Sequence, residues 1–151
     1  MATTIDGISN LGAEVGRHLG YSDWREVTQE QVQLFADATG DHQWIHLDAE
    51  RAAAGPFGTT IAHGFLTLAL APVLLGEVLV VTGISMGVNY GLNKVRFPAP
   101  VPVGSKLRVG AVIDKVDDIT GGAQVTLTGT WEVEGGTKPV CVAEVIFRYY
   151  A

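Results

Sequence analysis

At 151 residues, 47% of them hydrophobic and only 17% charged, the chain is long enough to close a full core without disulfide or metal staples. A formal net charge of −6 argues against nucleic acid or an anionic membrane surface as the main partner; a small anionic ligand on a local basic cluster stays compatible with it. The single cysteine, Cys141, cannot form an internal disulfide and fits a reducing cytoplasm, and residues 1–10 lack the basic-then-apolar pattern of a secretory signal.

Residues 1–20 are weakly patterned, with a short helix expected over 8–15 and a first strand over 21–27, carrying Trp24 and Val27. Thr28-Gln29-Glu30-Gln31 matches a capping box with Thr28 as N-cap. Val32, Phe35, Ala36 and Thr39 then repeat at helical spacing. Gly40 follows where the helix would stop, since glycine takes the left-handed C′ conformation without a Cβ penalty. The stretch Asp41-His42-Gln43-Trp44-Ile45-His46 reads as a loop, Asp48 as the cap of a short helix over 49–54, and Gly55-Pro56 as its end.

From 61 to 84 the chain is mostly apolar, but His63, Pro72 and Glu77 interrupt it. Its uninterrupted part, 65–76, is about half of the roughly 20 residues a membrane span needs. It reads as a core helix opening at His63-Gly64 and kinked or restarted near Pro72. After Gly83 the segments 86–97, 106–116, 123–134 and 139–150 are rich in β-branched and aromatic residues. Val125, Leu127, Gly129, Trp131 and Val133 alternate with polar residues, which gives one buried and one wet face. Gly121-Gly122 and Gly135-Gly136 mark turns, and Pro98, Pro100 and Pro102 an extended loop. Helices first and an antiparallel sheet after them predict an α+β fold in one domain, a long apolar helix laid on a curved sheet. A partner subunit would cover the helix's other side.

Asp41 and His46 are the candidate acid–base pair: two groups that can exchange protons, placed just past a rigid element. The plainer readings are a loop cap for the aspartate and a hydrogen-bonded core group for the histidine. His42 reads as an exposed loop residue and His63 as a helix-start residue with a structural hydrogen bond. Asp41, His42, His46, Asp48 and His63 could also be read as a metal cluster. Gly40 argues against the helix that would bring His42 and His46 together, and the cysteine that structural zinc sites favour is absent nearby. No metal is expected.

Ala38-Thr39-Gly40-Asp41, then Ile45-His46, then Ile61-Ala62-His63-Gly64, then the run from Val95-Arg96-Phe97-Pro98 to Val103-Gly104 together resemble the MaoC-like dehydratases, the (R)-specific enoyl-CoA hydratases of hot-dog fold. The resemblance covers about residues 21–150. It implies a central helix wrapped by an antiparallel sheet, a homodimer, an acyl-CoA thioester substrate and no cofactor beyond the coenzyme A of that substrate. It also implies that Asp41 and His46 carry the proton transfers while the Gly64 N–H faces the thioester oxygen. Gln43-Trp44 stands where the family usually has Asn-Pro, as in a sub-branch related to nodulation protein N. Pro72 stands where some members have a serine. Gln43, Trp44, His63, Phe65 and Arg96 are the expected substrate-binding residues, with Trp44, Phe57, Phe65 and Leu68 at the pocket floor. Lys94, Arg96, Lys106, Arg108 and Arg148 are the basic groups available to coenzyme A phosphates. Two alternatives stand beside the hydratase. One is a thioesterase, disfavoured because 64–76 contains no acidic residue; the other is a non-catalytic acyl-thioester binding protein.

Overall fold

The computed structural model describes residues 2–151. Its chain order is β1 (Thr3–Asp6), a 3-10 helix (Ile8–Glu14), β2 (His18–Tyr21), β3 (Arg25–Glu26), α1 (Gln29–Thr39), α2 (Trp44–Leu47) and α3 (Ala49–Ala53). There follow α4 (Gly64–Ala69), α5 (Ala71–Gly76), β4 (Leu79–Thr82), β5 (Met86–Arg96), β6 (Lys106–Ile119), β7 (Gly122–Val133) and β8 (Cys141–Tyr150).

The last four strands fall where the alternation predicts. With β2 they form an antiparallel sheet of order β2-β6-β7-β8-β5, and β3 also pairs with β6. Val109 faces Trp131, Ile113 faces Leu127 and Leu127 faces Val145 across neighbouring strands, and all five side chains are buried. The inward positions therefore stack as one apolar layer, the period-2 consequence of the pleat. Trp131 needs the space that Gly129 leaves, since a Cβ there would lie 2.7 Å from the indole ring. Leu66, Ala71, Leu74 and Leu75 from α4 and α5 fill the other side of the same core. This is the hot-dog arrangement.

The central helix is two segments joined at Leu70, and Pro72 sits in the first turn of α5, where its missing N–H costs no helical hydrogen bond. The apolar run does not continue as helix to 84. Leu79–Thr82 is strand β4, paired in parallel with β1, because the Val-Val-Thr stretch suits a pleated surface and the N-terminal residues supply a partner. The strand expected over 21–27 is split into β2 and β3. Between them Ser22 is buried; its N–H donates to the Val109 carbonyl and its hydroxyl accepts the Val109 N–H. One side chain thus replaces a backbone rung.

Among the described residues β5 is the edge of the sheet, bonded only to β8. Met86, Tyr90 and Leu92 on it, and Phe65 and Val73 on the outer side of α4 and α5, are exposed. Among the described residues no helix is long and apolar enough to cross a membrane.

Candidate active site

Thr28 caps α1 by accepting the Gln31 N–H, and Gly40 ends it in the left-handed conformation, φ 84°. That reversal delivers Asp41 at the head of the next segment. Its carboxylate accepts the Gln43 N–H at 3.4 Å and is exposed. The expected loop tightens at Trp44 into α2, a single helical turn that contains His46. His42 lies outside that turn, so the two histidines do not share a helical face.

His46 is 6% exposed, and its Nδ1 lies 2.7 Å from the Ile61 carbonyl oxygen. A carbonyl only accepts, so Nδ1 carries the hydrogen and Nε2 is left as the basic nitrogen. His63 is held in the same way: its Nε2–H donates to the Asp41 carbonyl at 3.0 Å. Its ring stacks on His46 at 3.8 Å between centroids. The structural hydrogen bond expected of His63 is therefore one that fixes Asp41. His63 Nδ1 is buried and bonds none of the described residues.

His46 lines a cavity of about 440 Å³ whose other walls include Phe57, Gly64, Thr67, Phe97, Pro98, Val101 and Val140. As the first residue of α4, Gly64 has an N–H with no acceptor within the helix. A Cβ at Gly64 would lie 3.3 Å from the Phe97 ring, so the absence of a side chain lets the aromatic lie close against that backbone. Thr67 and Val140 were not singled out in the sequence, and Phe97 stood there only as part of the proline-rich motif, not as a pocket residue. Thr67 is legible in hindsight as the residue one turn after Gly64.

Of the residues expected at the pocket floor, Phe57 lines this cavity. Phe65 and Leu68 line a separate depression of about 410 Å³ with Tyr90 and Leu92, because they point to the outer side of α4. Trp44 packs on Gly55, and the Arg51 guanidinium lies 4.2 Å over its ring, so it braces α2 against α3. Gln43 meets the site through its backbone. Arg96 lies with Lys94 in a depression on the sheet beside Thr128 and Glu144. Arg108 pairs with Glu132 and is sandwiched between Tyr21 and Trp24, while Arg148 donates to Gln124 and covers Tyr90.

Asp41, His46 and His63 each offer a donor atom within 4.8 Å of the other two, close enough to bridge a cation. One nitrogen of each histidine is already committed to a carbonyl. The same spacing lets a single water touch both a carboxylate and an imidazole. Burial pushes the Cys141 thiol up to about 12, which leaves no thiolate nucleophile at neutral pH.

Residues 10–134 match the model of the MaoC-like domain. The chain is 59% identical over 149 residues to 3-hydroxyacyl-thioester dehydratase Z of Mycobacterium tuberculosis, covering 98% of this chain and 99% of that protein. It is 41% identical over 143 residues to nodulation protein N of Rhizobium leguminosarum bv. viciae, covering 92% and 88%. Its structure is similar to that of an unliganded R-hydratase from Pseudomonas aeruginosa, with TM-score 0.75 and 28% identity over 95% of this chain and 84% of that one. The chain belongs to the MaoC-like dehydratase family.

Proposed function

We propose that this protein is an (R)-specific hydro-lyase that adds water reversibly across the double bond of a trans-2-enoyl-CoA, giving (R)-3-hydroxyacyl-CoA. The observation that carries the reading is the convergence of the Asp41 carboxylate and the His46 imidazole, within 4.8 Å of each other, beside an apolar cavity that the Gly64 backbone also lines.

Hydration requires an oxygen–carbon bond at Cβ and a proton at Cα. Nε2 of His46 takes one proton from water as its oxygen attacks Cβ; the imidazole then gives that proton up through the Asp41 carboxyl, which also orients the water, to Cα, so both groups end as they began. The π electrons move onto the thioester oxygen as the enolate forms and return when Cα is protonated. The Gly64 N–H faces that oxygen, and a donor so placed is worth about 3–4 kcal/mol in the barrier. Water and protons are the only other reactants, so the reaction needs no cofactor beyond the coenzyme A of the substrate.

Purified protein is expected to lower the enoyl-thioester absorbance of crotonyl-CoA to its hydration equilibrium, and His46→Gln to leave it standing. Release of free coenzyme A instead would mean a thioesterase. Binding without turnover would mean a binding module.

Lys94 and Arg96 are proposed to meet the nucleotide phosphates. Arg96→Ala then raises KM for the CoA thioester more than it lowers kcat; an equal change with substrates lacking the nucleotide would overturn this assignment. A second copy of the chain is proposed to cover β5 and the outer side of α4 and α5, since a long edge strand flanked by exposed apolar residues invites pairing. Sedimentation at micromolar concentration should give a homodimer, and a monomer would refute it. A reducing, cytoplasmic setting is the proposed location, supported by the unpaired, buried Cys141.

A further inference from the structure

Helix α2 is one turn long, too short to sustain itself, because a single turn bears the nucleation cost without the propagation that repays it. The position of His46 therefore depends on bonds from outside the turn. Two come from Ile61, which also bridges to Pro102: its N–H donates to the Ile45 carbonyl at 3.0 Å, and its carbonyl receives the imidazole Nδ1–H. The third comes from Gln29, the first residue of α1. Its Nε2–H donates to the His46 carbonyl at 2.8 Å, and its Oε1 accepts the Thr60 hydroxyl at 2.7 Å. The amide has only this orientation, since the His46 carbonyl cannot donate.

Thr60 is 4% exposed and is itself pinned where its carbonyl accepts the Val103 N–H at 2.9 Å. One side chain thus ties three elements, the start of α1, the turn bearing His46 and the segment bearing its carbonyl anchor.

We infer that Gln29, locked by Thr60, is a positioning residue for His46. This rests on the hydro-lyase reading of the site. Gln29 does not line the cavity, and it bonds the His46 carbonyl rather than the ring, so it acts through the backbone of the base and leaves substrate binding alone.

Four variants and two readouts decide the matter. Gln29→Ala lowers kcat for crotonyl-CoA by about 10- to 100-fold with KM within about twofold, the scale of a misplacement of roughly 1 Å. Gln29→Glu keeps the acceptor for Thr60 but cannot donate to the carbonyl, and falls equally. Thr60→Ser restores what Thr60→Val loses. In the ligand-free protein, the His46 Nδ1–H NMR resonance is broadened by exchange in Gln29→Ala and remains sharp in Thr60→Ser. A kcat within about twofold of wild type in Gln29→Ala, or an unchanged His46 resonance whatever the activity, overturns the inference. If the wild-type protein is silent on crotonyl-CoA, the hydro-lyase reading fails, and the resonance alone then decides the role of Gln29.

Discussion

In the sheet formed by β6, β7 and β8, each inward side chain is held by several others of the same kind: Leu127 lies between Ile113 and Val145, and Val109 beside Trp131. In 28–67, which carries the site, short helices are tied by single bonds from named side chains: His46 to Ile61, His63 to Asp41, Gln29 to His46. Apolar packing is collective and non-directional. A hydrogen bond has one donor and one direction. The sheet should therefore answer substitution through stability, and the segment 28–67 through activity.

The largest expected effect is on the second side. Asp41→Asn preserves size and can still accept the Gln43 N–H, but it loses the proton-relaying carboxylate; turnover should fall about 100- to 10,000-fold. Because Asp41 is exposed, the melting temperature should hardly move. A variant that unfolds would show that the site and the core share their support and would break the contrast.

Gly129→Ala is the converse. Its Cβ would lie 2.7 Å from the Trp131 ring, and Trp131 is fully buried, so it has nowhere to go. Overpacking of this kind costs about 1–3 kcal/mol. Denaturant unfolding should show that loss while kcat stays near wild type. Gly64→Ala is intermediate. Its backbone is not in the left-handed region, and the Phe97 ring that its Cβ would meet at 3.3 Å is 42% exposed and can swing aside. The fold should survive, with turnover about tenfold lower, comparable to a weakened oxyanion contact of about 1.4 kcal/mol. Unchanged turnover would remove Gly64 from the reaction.

The same difference explains what could be read from residues alone. The alternation at 123–134 locates β7 because its periodicity is local, and α1 shows both its caps, Thr28 and Gly40. β4 was hidden in an apolar run because its pairing partner, β1, lies far away in sequence. Asp41 and His46 are legible as residue types at a short spacing. Gln29 is not: a glutamine in a first turn reads as ordinary capping chemistry, and its partners are 17 and 31 positions away. Phe65 and Leu68 were expected at the pocket floor, but helical geometry turns them to the other side of α4.

The smallest expected effect compares two histidines of the same stretch. His46 is buried, with its ring anchored to a carbonyl, whereas His42 is exposed and its Nε2 lies 3.0 Å from the Asp37 carboxylate. That hydrogen bond raises the His42 imidazole above its ordinary 6.5. It also holds Asp37 below 3.8, with a lesser contribution from Gln33. The His42 contribution is fully present below 6.5 and is lost as pH rises through the raised value. The Asp37 contribution is present above 3.8 and is lost as pH falls through the lowered one. The pair therefore stabilises the fold only between those limits, so His42→Ala should lower the melting temperature slightly at about pH 5.5 and not at about pH 9. Since the pair is exposed, the shift should also shrink in salt. Turnover should be untouched at either pH, because the His42 ring is exposed and hydrogen-bonded to Asp37 rather than to Asp41 or His46. A turnover loss in His42→Ala that grows as the pH falls would place this imidazole in the proton path and end the distinction between the two histidines.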